Sequence, residues 1–152
     1  MKDNHATIHY AGDDYFVGIP PTGHAITLDL NGERSNAPGP LELLLVALGG
    51  CTGADVISIL KKKRERVTEY RVEVKGERRE DYPKSFKKFE VKHILRGYGI
   101  SPENVARAIE LSETKYCSVA ATLRPAAEIV TTFEIQEADA LTPAGRSASE
   151  AP

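Results

Sequence analysis

The chain has 152 residues, 41% of them hydrophobic and 28% charged, which suits one ordinary globular domain and is too short for two well-cored ones. Its formal net charge is −2, from 20 basic and 22 acidic residues, so no global basic field exists to draw in nucleic acid or an anionic membrane. Two cysteines exclude a disulfide scaffold, and no C-x-x-C or Cys/His cluster offers zinc a closed site. Met1 to Thr7 lacks a basic-then-apolar signal pattern, and the longest mostly apolar run, Leu41 to Cys51, falls far short of a membrane span. The expectation is a cytoplasmic domain with reduced thiols, no cofactor, no metal, and neither membrane nor nucleic acid as partner.

Three alternating segments open the chain: Ala6/Ile8/Tyr10, Tyr15/Val17/Ile19 and Ile26/Leu28/Leu30. Each places apolar side chains on one face with period two. Gly12-Asp13-Asp14 and Pro20-Pro21-Thr22-Gly23 supply the turns of a three-stranded meander, and Asn31 to Gly39 forms a polar loop. Pro40 then starts a helix running to about Lys63. Leu41 to Leu48 is apolar all round the wheel except for Glu42, so this helix needs cover on every side. A chain this small supplies that cover most easily with a second copy. The run Lys61-Lys62-Lys63-Arg64 is a solvated helix end, where cations meet the negative pole of the dipole.

Two long strands follow, Tyr70/Val72/Val74 against Arg71/Glu73/Lys75 and Phe89/Val91/His93/Leu95 against Lys88/Glu90/Lys92. One face packs and the other is wet, as in antiparallel sheet. Ser101 as N-cap and Pro102 as first helical residue begin a second helix, with Val105, Ala108, Ile109, Ser112 and Tyr116 along one stripe. Ile129/Thr131/Phe133/Ile135 make the last strand. The order β-β-β-α-β-β-α-β is an α+β domain with antiparallel sheet, occupying residues 1–136. The Ala/Ser/Pro-rich stretch 137–152 reads as a disordered tail.

Cys51 and Cys117 are the candidate nucleophiles. Cys51 sits in Gly49-Gly50-Cys51-Thr52-Gly53, where each glycine costs a helix about 1 kcal/mol relative to alanine, so close packing or a bend must compensate. Cys117 follows the second helix, and Ser118 is placed to cap a short turn through Leu123. A thiol there has its thiolate favoured by the dipole. An inert, buried thiol is the competing reading for each cysteine. His5 and His9 share a strand face but lack further ligands for a metal. Gly50-Cys51-Thr52-Gly53 matches the G-x-x-G of RNA-binding KH loops, yet it lies in an apolar helix, which excludes that role. Tyr82, Phe86 and Phe89 read as core or sheet packing.

Pro40-Leu41-Glu42-Leu43-Leu44 leading to Gly49-Gly50-Cys51, with Lys115-Tyr116-Cys117-Ser118-Val119 later, resembles the OsmC/Ohr family of thiol peroxidases. Within it, Asp55 to Leu60 and Glu77-Arg78-Arg79-Glu80 are most similar to the YhfA-like branch. The resemblance implies an intertwined homodimer, with antiparallel sheets wrapped around central Cys-bearing helices and reactive pockets at the interface. It implies Cys51 as the peroxidatic thiol, Cys117 as the resolving one, an organic hydroperoxide as substrate and a dithiol as reductant. In those peroxidases an acidic residue directly follows the proline; here Leu41 holds that place and the nearest carboxylate is Glu42. On a continuous helix Glu42 and Cys51 point to opposite faces, about 13 Å apart along the axis. As a third candidate catalytic residue, Glu42 therefore reaches a thiol only across the dimer or through a bend at Gly49-Gly50. The competing reading is a carboxylate stabilised by the helix dipole. Those peroxidases also set an N-terminal arginine beside the first cysteine, whereas before Lys61 this chain has only Lys2 and Arg34 as cations. Asp55, one turn from Cys51, opposes a thiolate, and Arg78 and Arg79 belong to a charged outer surface. The alternative to an enzyme is a non-enzymatic dimer that binds an apolar ligand or senses redox state in the same cleft.

Overall fold

A computed structural model describes residues 4–139 of the chain. Three strands, β1 (Thr7–Gly12), β2 (Tyr15–Ile19) and β3 (Ile26–Asp29), form the expected antiparallel meander. Asp13 and Asp14, at φ 49° and 60°, turn β1 into β2 in the left-handed conformation that a tight hairpin of this kind demands. Helix α1 covers Pro40–Lys62. Beyond it come β4 (Arg66–Arg78), β5 (Phe86–Tyr98), α2 (Pro102–Leu111), a π-helical turn (Ser112–Tyr116), α3 (Ser118–Leu123) and β6 (Glu128–Glu137). The chain divides into two compact units, one up to Gly49 and the other from Gly50 onward.

In the first unit the loop between β3 and α1 is organised by Arg34. Its guanidinium donates from Nε to Asp29 Oδ2 at 3.0 Å, from one terminal nitrogen to Asp29 Oδ1 at 2.9 Å, and from the other to Asp13 Oδ2 at 2.9 Å. It also lies 4.1 Å from the centroid of the Tyr15 ring. Those hydrogen bonds from Arg34 hold the Asp29 carboxyl well below the usual carboxylate range; burial opposes them, and the N–H groups of Asn36 and Asn31 assist. The loop ends in a capping arrangement. Glu42, in the first turn of α1, accepts the Gly39 N–H at 2.7 Å and so satisfies a backbone donor just ahead of the helix. Glu42→Ala should cost roughly 0.5–1 kcal/mol of stability, measured by urea denaturation.

The second unit packs α1 and α2 on a three-stranded sheet of order β4-β5-β6. Its core gathers Val56 and Leu60 of α1, Leu95 of β5, Ile100, and Val105, Ala108 and Ile109 of α2. Phe89, Val91, His93 and Leu95 are buried, as the alternation of β5 predicts. Pairing of β4 with β5 is antiparallel, but β6 pairs with β5 in parallel, Lys88 opposite Glu128 through Gly97 opposite Glu137. The all-antiparallel expectation is corrected here. Period-two alternation reports which face is buried and carries no information on strand direction, whereas α2, the π turn and α3 provide the crossover that a parallel neighbour needs.

Smaller corrections follow from the same packing. Tyr82 is exposed, with Lys84 Nζ 5.0 Å from its ring centroid, while Phe86 and Phe89 are buried as expected. Phe133 of β6 is exposed. Glu137 and Ala138 are tied to the sheet: Ala138 N–H reaches Gly97 O at 2.7 Å, and Glu137 accepts the Gly99 N–H. The expected fraying therefore does not begin at 137, and the tail from 140 onward lies outside the described residues. Gly97 is obligatory, because a Cβ there would collide with the Arg66 carbonyl oxygen and sit 2.8 Å from Ile100 Cδ1. Gly97→Ala should destabilise by about 1–3 kcal/mol, visible as a lowered urea midpoint.

Candidate functional site

Cys51 and Asp55 stand four residues apart on α1 and share one helix face. Cys51 is half-buried, whereas Thr52 between them is buried. Gly53 lets β4 approach: a Cβ there would lie 3.3 Å from Val72 Cγ2 and 3.9 Å from the Tyr70 ring. Close packing is thus the compensation for at least this glycine.

The second thiol arrives through the π turn. Ser101 caps α2 as predicted, accepting the Asn104 N–H at 3.3 Å, and the stripe Val105, Ala108, Ile109 and Ser112 is buried. Tyr116 leaves that stripe and is half exposed, because the wider π turn breaks the four-residue repeat. Cys117, not Ser118, is the N-cap of α3: its Sγ accepts the Ala120 N–H at 3.4 Å, and Ser118 is already helical.

Ser112 joins the two elements. Its hydroxyl donates to Asp55 Oδ2 at 2.9 Å, which leaves Thr52 to donate to Ser112 Oγ at 3.1 Å. The Ser112 carbonyl takes the Cys117 N–H at 2.8 Å. One buried serine therefore anchors both Asp55 and the backbone of Cys117. The two Sγ atoms and an Asp55 carboxylate oxygen all lie within 4.8 Å of one another.

The Cys117 thiol is pushed up to about 11, chiefly by burial, with Cys51 and Asp55 adding to it and the Ala120 N–H opposing them. The helix-end effect expected from the sequence is overcome, since desolvation of a thiolate outweighs what one N–H of a six-residue helix returns. Among the described residues, none of the groups acting on Cys117 is a cation. Arg34 is engaged by Asp29, Asp13 and Tyr15, and Arg78 and Arg79 are both exposed, as expected. Glu42 stands about two and a half turns earlier on α1, with its carboxylate at the Gly39 N–H.

Behind the site Tyr70 and His93, diagonal neighbours on β4 and β5, share a 2.6 Å hydrogen bond between the phenol oxygen and Nδ1. Burial raises Tyr70, with Asp55 adding to it, and burial lowers His93 to about 4. His93 Nε2 is buried with no hydrogen-bond partner among the described residues. Asp55 was legible from its spacing to Cys51, but nothing in the sequence distinguished Ser112 from its apolar stripe.

By length and composition α1, at 23 residues, is apolar enough to cross a bilayer. The expectation that no stretch reaches that length counted only the run to Cys51, and the helix continues through Val56, Ile57, Ile59 and Leu60.

The OsmC-like protein family matches residues 32–132, a span that contains both thiols, Asp55 and Ser112. The chain belongs to this family. It is 41% identical over 120 residues to protein YhfA of Escherichia coli, covering 79% of this chain and 89% of YhfA. Among solved structures it is similar to a hypothetical protein of Aquifex aeolicus, with TM-score 0.81 and 31% identity over 91% of this chain and 100% of the other. A more distant likeness is to an organic hydroperoxide resistance protein of Elizabethkingia anophelis, with TM-score 0.67 and 16% identity over 90% and 98% of the two chains. That second likeness extends the OsmC-like fold to proteins of that name.

Proposed function

We propose that this OsmC-like protein is a cytoplasmic thiol-dependent reductase of organic hydroperoxides. The observation that carries the reading is the meeting of two free thiols from distant parts of the chain, one half-buried and one buried. In this reading the Cys51 thiolate attacks the distal peroxide oxygen, the O–O bond breaks, and the alkoxide leaves as the alcohol after protonation. The resulting sulfenic acid condenses with the Cys117 thiol, releasing water and forming a disulfide, which an external dithiol reduces. Exposure supports the division of labour, since the half-buried thiol meets substrate and the buried one waits behind it. An E. anophelis structure of the same fold is named for organic hydroperoxide resistance. Glu42 serves as the cap of α1 and takes no chemical step.

The working form is a homodimer. Of the run Leu41 to Leu48 only Leu48 is buried, Val46 is 68% exposed, and Ile8 and Tyr10 of β1 are exposed. So much apolar surface on one chain suits a covering second copy. Light scattering should give twice the chain mass; a monomer would end this part of the reading.

The test of activity is consumption of cumene hydroperoxide by reduced protein with a dithiol donor, compared with hydrogen peroxide. Catalytic loss of the organic peroxide is expected. A second reading, a redox-sensing or apolar-ligand-binding dimer, is favoured by the lack of any cation among the described residues acting on Cys117. Under it the thiols oxidise once and no turnover follows.

A further inference from the structure

We infer that Cys51, Asp55 and Cys117 form a binding site for a soft divalent cation such as Zn²⁺. The sequence shows no familiar ligand spacing, because the third ligand comes from 62 positions beyond Asp55 and only the fold delivers it. The three donor atoms lie within 4.8 Å of one another. A tetrahedral zinc, with bonds of about 2.3 Å to sulfur and about 2.0 Å to oxygen, holds such atoms roughly 3.5–3.8 Å apart, so side-chain shifts of about 1 Å or less per ligand would close the site.

The donor set suits this ion class. Two thiolates select a soft cation over Mg²⁺ or Ca²⁺, and three protein ligands leave a fourth position open to water or a small ligand. Two of the donors, Cys51 and Asp55, stand on α1, and Cys117 is held at the junction between the π turn and α3 as the cap of α3. A second layer is also in place. Buried Ser112 donates to Asp55 Oδ2 at 2.9 Å and is itself held by Thr52, while the Ala120 N–H points at Cys117 Sγ. Outer hydrogen bonds of this kind orient the ligands of a metal site. The charge pattern points the same way, because a carboxylate beside two thiols is the wrong neighbour for a free thiolate and the right one for a cation.

Binding consumes no oxidant: two thiol protons leave and two S–metal bonds form. The site shares its thiols with the proposed peroxide chemistry but does not rest on it, and the two fail separately. One is read as metal uptake and the other as peroxide loss.

Full-length reduced protein should be titrated with Co²⁺ without oxygen. One equivalent per chain should bind, giving a thiolate-to-cobalt charge-transfer band and the visible bands of tetrahedral cobalt. Zn²⁺ should bleach both, and Mg²⁺ should leave them unchanged. Cys51→Ser and Cys117→Ser should each lose most of the charge-transfer band. Asp55→Asn should keep it while the affinity falls about 10-fold or more, and Ser112→Ala should weaken binding roughly 10–100-fold. Wild-type protein treated with diamide gives a check free of mutants. Diamide takes two electrons and two protons from the thiol pair, becomes the hydrazine, and the resulting disulfide should bind no cobalt. Absence of the band in folded, reduced wild-type protein would overturn the inference, as would undiminished cobalt uptake after diamide.

Discussion

Replacing Cys51 with serine should end hydroperoxide consumption, a loss on the order of 10³-fold or more, because a neutral hydroxyl does not attack the O–O bond as a thiolate does. Serine matches the thiol in shape and keeps an oxygen for the hydrogen bond that Cys51 shares with Cys117, so the variant should fold. Cys117→Ser should behave differently. Its Cys51 should complete one attack and then stall as the sulfenic acid, collecting further oxygen atoms visible by intact mass. A Cys51→Ser protein that still turns over organic peroxide would sink the assignment of the nucleophile. Burial and Asp55 both favour the protonated form of Cys117, which is what a resolving thiol needs when it gives its proton to the departing water.

The second large effect is on stability in acid. His93 is fully buried on the packed face of β5, and burial lowers it to about 4 from an ordinary 6.5. Above pH 6.5 the ring is neutral in folded and unfolded chains alike, and it contributes no pH dependence. Between 6.5 and 4 the unfolded chain binds a proton that the folded one refuses, so stability falls as the pH falls. From pH 7 to pH 4 this one ring should remove about 3 kcal/mol. The paired carboxylates, such as Glu77 beside Lys87 and Glu134 beside Gln136 and Lys92, lose their stabilisation in the same direction at lower pH. Urea denaturation of wild type and His93→Phe at both pH values isolates the histidine. The variant should show the smaller pH dependence, and equal slopes would mean that His93 takes up its proton in the folded state.

His93 also shows how far reading a strand can go. Its place on the inward face follows from period two, and Phe89, Val91 and Leu95 join it there. Its bond to Tyr70 depends on the register that sets Tyr70 opposite Leu95 and His93 opposite Val72. A bulge between Val67 and Glu69 contributes to that register, and alternation does not encode it.

The sequence by itself determined the meander, the extent of α1, the caps at Ser101 and Pro102, and the inward face of β5. These are local properties: turn chemistry, periodicity and capping act over a few residues, and they are written where they act. It also carried the family resemblance, through motifs around each thiol. Only the tertiary structure decided that β6 runs parallel to β5, that Cys117 rather than Ser118 caps α3, and that Ser112 anchors Asp55 to the Cys117 backbone. Strand direction and burial arise from contacts between distant segments. The Cys117 thiol stays protonated for the same reason: desolvation depends on everything packed around a sulfur, and that neighbourhood exists only once the chain has folded.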